Sequence, residues 1–136
     1  MQLEYQVNSG DFANAGKVSS EIKKILKQLS FSTSHIKRIV VALYEAEVNV
    51  VAHSYGGSVS CHIAPDKVRL DVIDTGPGIA DVELAMTEGW STATQEVREM
   101  GFGAGMGLSN IKKNCDYMSI DSGKDKPTHM TLIFEV

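Results

Sequence analysis

Val68-Arg-Leu-Asp-Val-Ile-Asp-Thr-Gly-Pro-Gly-Ile79 is the stretch from which the rest of the chain is read. Val68, Leu70 and Val72 alternate with other residues, the period of a half-buried strand. The strand runs into Asp74 and then turns sharply. Pro77 fixes its own φ and restricts Gly76, while Gly76 and Gly78 permit backbone geometries closed to other residues. An ordinary β-turn accounts for these residues taken alone. The functional alternative is a carboxylate facing a cleft, beside backbone bare enough for a flat ligand to lie against it. Two further stretches decide between them.

Upstream, Ile36, Ile39, Val40, Leu43, Ala46 and Val50 form the apolar stripe of a helix over roughly 33–54, capped within Phe31-Ser-Thr-Ser34. Glu45, Asn49 and His53 recur at i, i+4 and i+8 and make a separate row. Val41, Ala42, Val48, Val51 and Ala52 leave this helix apolar around most of its girth. A carboxylate and an amide in such a helix need a ligand, an ion or hydrogen-bonding partners in the core. His53, near the helix end, reads as a capping or packing residue.

Downstream, Gly101-Phe-Gly-Ala-Gly-Met-Gly107 leads into the helical Leu108-Ser-Asn-Ile-Lys-Lys-Asn-Cys115. Alternate glycines before a helix start make a cradle of backbone amides at a positive helix end, suited to phosphate. Plain glycine flexibility is the other reading. GxGxxG fails because 106 is Met and 108 is Leu, and GxxxxGK[ST], GxSxG and HRD are all missing. P-loop, hydrolase and ordinary protein-kinase readings therefore lose support.

The remaining elements fall around these three. Leu3, Tyr5 and Val7 suggest a first strand, and Val18, Ile22, Ile25, Leu26 and Leu29 a first helix over roughly 12–29, with Asn8, Ser9 and Asp11 as candidate caps. Tyr55-Gly-Gly57 ends the second helix, and Val59, Cys61 and Ile63 form a strand that pairs antiparallel with the one reaching Asp74. Asp81 offers a cap for a short helix through Met86. Thr87–Met100 reads as a lid or as a plain surface loop. Tyr117–Ile120 and Met130–Val136 close the chain as strands joined by the polar turn Asp121–Pro127.

Composition narrows the classes. At 136 residues, with no internal repeat or linker-like segment, residues 1–136 are expected to form one domain. The chain is 43% hydrophobic, 22% charged and carries a net charge of −4, which argues against a general nucleic-acid footprint. No signal-peptide pattern and no bilayer-length apolar run is present, so a cytoplasmic, membrane-free protein is expected. Cys61 and Cys115 fit two unpaired thiols in a reducing compartment. The scattered histidines predict no zinc site.

Taken together and in order, the three stretches resemble the GHKL, or Bergerat-fold, ATPase superfamily. Glu45-Ala-Glu-Val-Asn49 is similar to its N box, Asp74-Thr-Gly-Pro-Gly78 to its DxGxG box, and Gly103-Ala-Gly-Met-Gly-Leu108 to its glycine box. Thr128 matches the threonine beside the adenine. The resemblance implies an α/β (α+β) two-layer sandwich, with a mixed or antiparallel sheet covered by helices on one face. Within the superfamily the chain looks like the small anti-sigma-factor and stress-switch serine/threonine kinases, sharing runs similar to Asp81–Thr92 and Gly107–Lys113. It departs in its long glycine run and in Tyr44, where small residues are common.

The resemblance implies roles for the matched residues. Asp74 accepts a hydrogen bond from the adenine amino group and Thr128 supports it. Gly76, Gly78 and Ile79 line the base. Gly103, Gly105, Met106, Gly107 and Leu108 enclose the phosphates. Asn49 is the metal ligand, completing an oxygen shell around Mg²⁺. Glu45 is the general base toward the attacking hydroxyl. The implied cofactors are ATP and Mg²⁺. The implied activity is phosphorylation of a small antagonist protein, with a sigma factor as second partner in some members and room for a homodimer. A binding module that uses ATP only to capture its partner is the alternative; Glu45 speaks for the kinase, since sequestration needs no base.

Overall fold

The computed structural model describes residues 1–76, 78 and 107–136. Five strands, β1 (Gln2–Val7), β2 (Gly57–Ala64), β3 (Lys67–Asp74), β4 (Tyr117–Asp121) and β5 (Thr128–Glu135), form one sheet in the order β1-β2-β3-β5-β4. Among the described residues every pairing is antiparallel. The expected choice between a mixed and an antiparallel sheet thus resolves to the second. β3 lies at the centre, with Leu70 opposite both Cys61 and Leu132. This register aligns the inward sets Val59, Cys61, Ile63 and Val68, Leu70, Val72 with Met130, Leu132, Phe134 on one face. A slip of one residue would turn each set outward.

Helices α1 (Lys17–Gln28), α2 (Thr33–His53) and α3 (Gly107–Asn114) cover that face. Val18, Ile22 and Leu26 from α1, Ile36, Ile39, Leu43 and Val50 from α2, and Leu108 and Ile111 from α3 join the strand residues in one apolar core. Each fully buried aliphatic side chain contributes about 1.5–3 kcal/mol relative to exposure. Cys61 and Cys115 are free thiols, and burial pushes that of Cys61 up to about 12, which leaves it unreactive.

Ser32 caps α2, its hydroxyl accepting from the His35 N–H. The first helix differs from the expected 12–29. Phe12–Asn14 is a 3₁₀ turn, Ala15 is extended, and α1 starts only at Lys17 after Gly16, whose φ is +94°. None of Asn8, Ser9 and Asp11 caps α1. Asp11 accepts from Asn14 Nδ2, and the Ser9 hydroxyl donates to the Ser54 carbonyl at the far end of α2. Among the described residues, no helix is long and apolar enough to cross a membrane. The expected Asp81–Met86 helix and the Thr87–Met100 lid lie outside the described residues.

Candidate functional site

The end of β3 carries Asp74 to one edge of the core. Cross-strand pairing sets it opposite Gly57 on one side and Thr128 on the other. Burial pushes the Asp74 carboxyl up to about 6, against the opposing pull of a hydrogen bond from the Thr128 backbone. Half-buried and with a single backbone donor among the described residues, this carboxylate keeps acceptor capacity for a ligand. The Thr128 side chain is buried, and its hydroxyl lies 2.7 Å from that of Ser122 in the β4–β5 turn. Ser122 was not expected from the sequence. The β4–β5 hairpin brings it there, since Asp121 pairs with His129 and Ser122 therefore falls beside Thr128.

Beyond Asp74 the chain folds back on the end of α2. The Tyr55 N–H donates to the Thr75 carbonyl at 2.7 Å, and the Thr75 N–H to the Gly56 carbonyl at 3.0 Å. A β-carbon on Gly76 would sit 3.1 Å from Ser54 Cα. Gly78 has a φ of +72°, and a β-carbon there would run into the carbonyls of Gly123 and Lys126. Gly78 is thus required by close backbone packing and by its positive φ, and Gly76 sits tightly against the end of α2. Pro77 and Ile79 lie outside the described residues.

Helix α2 delivers Glu45 and Asn49, both half-buried, to the first residue of α3. A β-carbon on Gly107 would lie 3.2 Å from Asn49 Oδ1 and 3.4 Å from Glu45 Oε2. The carboxylate and the amide therefore meet at Gly107, the first described residue of α3, at the end where the helix dipole favours negative charge. Leu108 anchors that end in the core. His53, the third member of the row, is the last residue of α2, and burial lowers its pKa. It does not join Glu45 and Asn49 at Gly107. Gly103, Gly105 and Met106 lie outside the described residues.

One buried carboxylate on α2 escaped the sequence reading. Glu47, only 2% exposed, turns away from Gly107 and caps α1. Its Oε2 accepts from Gly16 N at 2.9 Å and Val18 N at 3.3 Å, and its Oε1 from Ser19 N at 3.1 Å. The signal was present: Glu47 stands four residues after Leu43 and three before Val50, on the apolar stripe itself. Asp71 is likewise buried, but by the pleat it faces the side of the sheet away from the helices. Burial raises its pKa, and bonds from Arg69, His129 and Thr131 outweigh that and hold it below the ordinary carboxylate range. It is satisfied where it stands.

The residues present suit a magnesium nucleotide. Mg²⁺ binds commonly through one or two protein oxygens, with phosphate and water filling the octahedron, and Asn49 Oδ1 beside the α3 amino end is such an oxygen. Asp74 would supply a partly desolvated acceptor for an amino group, with close-packed glycines beside it.

Comparison with known proteins bears on the domain as a whole. A family model for the histidine kinase-like ATPase domain matches residues 9–134. An anti-sigma F factor of Thermoanaerobacter sp. (strain X514) is 31% identical over 106 residues, covering 74% of this chain and 71% of its own. The serine/threonine-protein kinase RsbT of Bacillus subtilis is 27% identical over 115 residues, covering 82% and 80%. The solved RsbU and RsbW domains of Rv1364c from Mycobacterium tuberculosis superpose with a TM-score of 0.66 at 22% identity. That match takes in 99% of this chain and about a third (32%) of the other, and it bears on the fold.

Proposed function

The chain belongs to the histidine kinase-like ATPase family, in its GHKL anti-sigma-factor kinase branch, and on that premise we propose that it is an ATP-dependent serine/threonine protein kinase. Its substrate is a small antagonist protein in a sigma-factor circuit, and residues 1–136 act as one catalytic domain. The observation that carries this reading is the meeting of Glu45 and Asn49 at Gly107; Asp74, its pKa raised by burial at the end of β3, supports it. A carboxylate at a helix amino end can serve simply as a cap; the kinase reading gives Glu45 the further role of base, which sequestration does not need.

In this reading Asp74 accepts from the adenine amino group, and Thr128, oriented by Ser122, holds the carboxylate and completes the base site. Gly76, Gly78 and Ile79 flank the base. Gly103, Gly105, Met106, Gly107 and Leu108 form the turn around the phosphates, with backbone N–H groups as donors. Asn49 offers one oxygen to Mg²⁺, which when bound neutralises phosphate charge. Glu45 takes the proton from the partner's serine or threonine hydroxyl. The freed oxygen bonds to the γ-phosphorus as the bond to the β-phosphate oxygen breaks, leaving phosphoprotein and ADP.

The second reading is nucleotide-dependent sequestration. The name of the Thermoanaerobacter relative, an anti-sigma F factor, favours it. Purified protein incubated with γ-labelled ATP, Mg²⁺ and candidate antagonist and sigma proteins separates the two. Label on a serine or threonine of one candidate supports the kinase. Stable ATP-dependent capture of a sigma factor with no label on any candidate supports sequestration. Equal nucleotide affinity with Mg²⁺ and with EDTA would remove the role given to Asn49.

A further inference from the structure

At the end of α3 remote from Gly107, Arg38 of α2 gathers three elements. Its Nη1 donates to the Asn114 carbonyl at 3.2 Å and pairs with Asp116 Oδ2 at 3.2 Å. Its Nη2 donates to the Glu135 carbonyl at 3.0 Å. The same Asp116 Oδ2 accepts from the Glu135 N–H at 2.7 Å, and the guanidinium lies over the Phe134 ring, 5.8 Å from its centroid. Asn114 is the last residue of α3, so its carbonyl is one that the helix cannot satisfy itself. A planar cation there closes the carboxyl end of the helix dipole and fixes direction, which a point charge does less well.

The described part of α3, eight residues or about two turns, runs antiparallel to α2: Gly107 meets Glu45 and Asn49, and Asn114 meets Arg38. Leu108 and Ile111 bury its middle in the core. Apolar packing of that kind fixes direction less sharply than hydrogen bonds do, so the polar contacts of Arg38 at the carboxyl end add to what sets the position of α3 along α2. We propose that Arg38, with Asp116, is a positioning residue for the nucleotide site. By holding the carboxyl end of α3 to α2 and β5, it fixes where the amino end of α3 presents its N–H groups relative to Glu45 and Asn49. The inference rests on the reading of Gly107 as part of the phosphate site. Its effect falls on phosphate contacts and spares the base contacts at Asp74, which β3 and β5 hold independently of α3.

The test compares ATP·Mg with adenosine, a ligand lacking phosphate, by NMR titration of parent protein and Arg38→Gln well below either melting temperature. ATP affinity should fall about two- to thirty-fold, the span of couplings transmitted through packed elements. Adenosine affinity should not move. Arg38→Lys, which keeps the charge but not the fork, should fall between parent and Arg38→Gln. The side chains of Arg38 and Asp116 are 30% and 39% exposed, so the variants are expected to fold. Should Arg38→Gln fail to fold, Asp116→Asn keeps the Glu135 contact, loses the ion pair and must show the same selective loss. Parallel losses for ATP and adenosine, or no loss for either, would overturn the proposal. A parent that binds adenosine but gains nothing from the phosphates contradicts the underlying site reading instead.

Discussion

Asp74 and Glu47 show how far single residues were legible. Asp74 was readable because its strand, its turn and its glycines are local in sequence. What the sequence could not supply was its environment, since burial beside Thr128 depends on β5 arriving from 54 residues further on. Burial raises its pKa from 3.8 to about 6. A raised carboxyl pKa contributes stability that is fully present below about pH 3.8 and lost as pH rises through about 6. In the protein without nucleotide, Asp74→Asn should therefore melt no lower than the parent at pH 8, and thermal scans from pH 4 to 8 check this. The same variant should lose about 1.5–3 kcal/mol of ATP binding, the worth of a charge-assisted hydrogen bond. In the parent, ATP affinity should weaken as pH falls through 6, because protonated Asp74 loses the charge that strengthens its hydrogen bond from the adenine amino group.

Glu47 is the opposite case, stabilising and unconnected to the nucleotide. Its three N–H partners lie 28 to 31 residues away, at a helix start that no local pattern disclosed. Glu47→Ala leaves those buried donors without a partner and should destabilise by about 1–3 kcal/mol, read as a lower denaturant midpoint. Nucleotide affinity of the folded fraction should stay near that of the parent. A Glu47→Ala protein as stable as its parent would show that water or backbone replaces the cap without cost.

At the scale of elements, the strands were found nearly to the residue, because alternating burial on a one-sided sheet is written in period two. Helix α2 was found equally well from its stripe and the serine before it. The start of α1 was misplaced because its cap is tertiary and Gly16 adopts a positive φ that the amphipathic pattern does not announce. The contact between the Asp74–Gly78 turn and the β4–β5 turn was also invisible, being made by backbone. It yields a prediction: Gly78→Ala meets both a positive φ and the Gly123 and Lys126 carbonyls. The variant should push the turns apart and weaken ATP binding at least as much as Asp74→Asn does. Calorimetric titration of the two variants side by side decides it.

For the molecule as a whole, composition excluded classes but identified none; the identification came from motif order. Glu45-Ala-Glu-Val-Asn49, Asp74–Gly78 and Thr128 are separated in sequence; the sheet sets Asp74 opposite Thr128, and α2 sets Glu45 and Asn49 beside Gly107 of α3. The partner was not legible, because recognition of another protein depends on surface shape that no periodicity encodes. The central claim is that Glu45 does chemistry and does not hold the nucleotide. The most direct measurement takes parent and Glu45→Ala proteins through ATP·Mg titration and then mass spectrometry of a partner incubated with each. The account predicts near-parental ATP affinity in the variant together with loss of serine or threonine phosphorylation by about 10²–10⁴-fold, the usual contribution of a general base. Phosphorylation by Glu45→Ala at the parental rate, with ATP still bound, would contradict it.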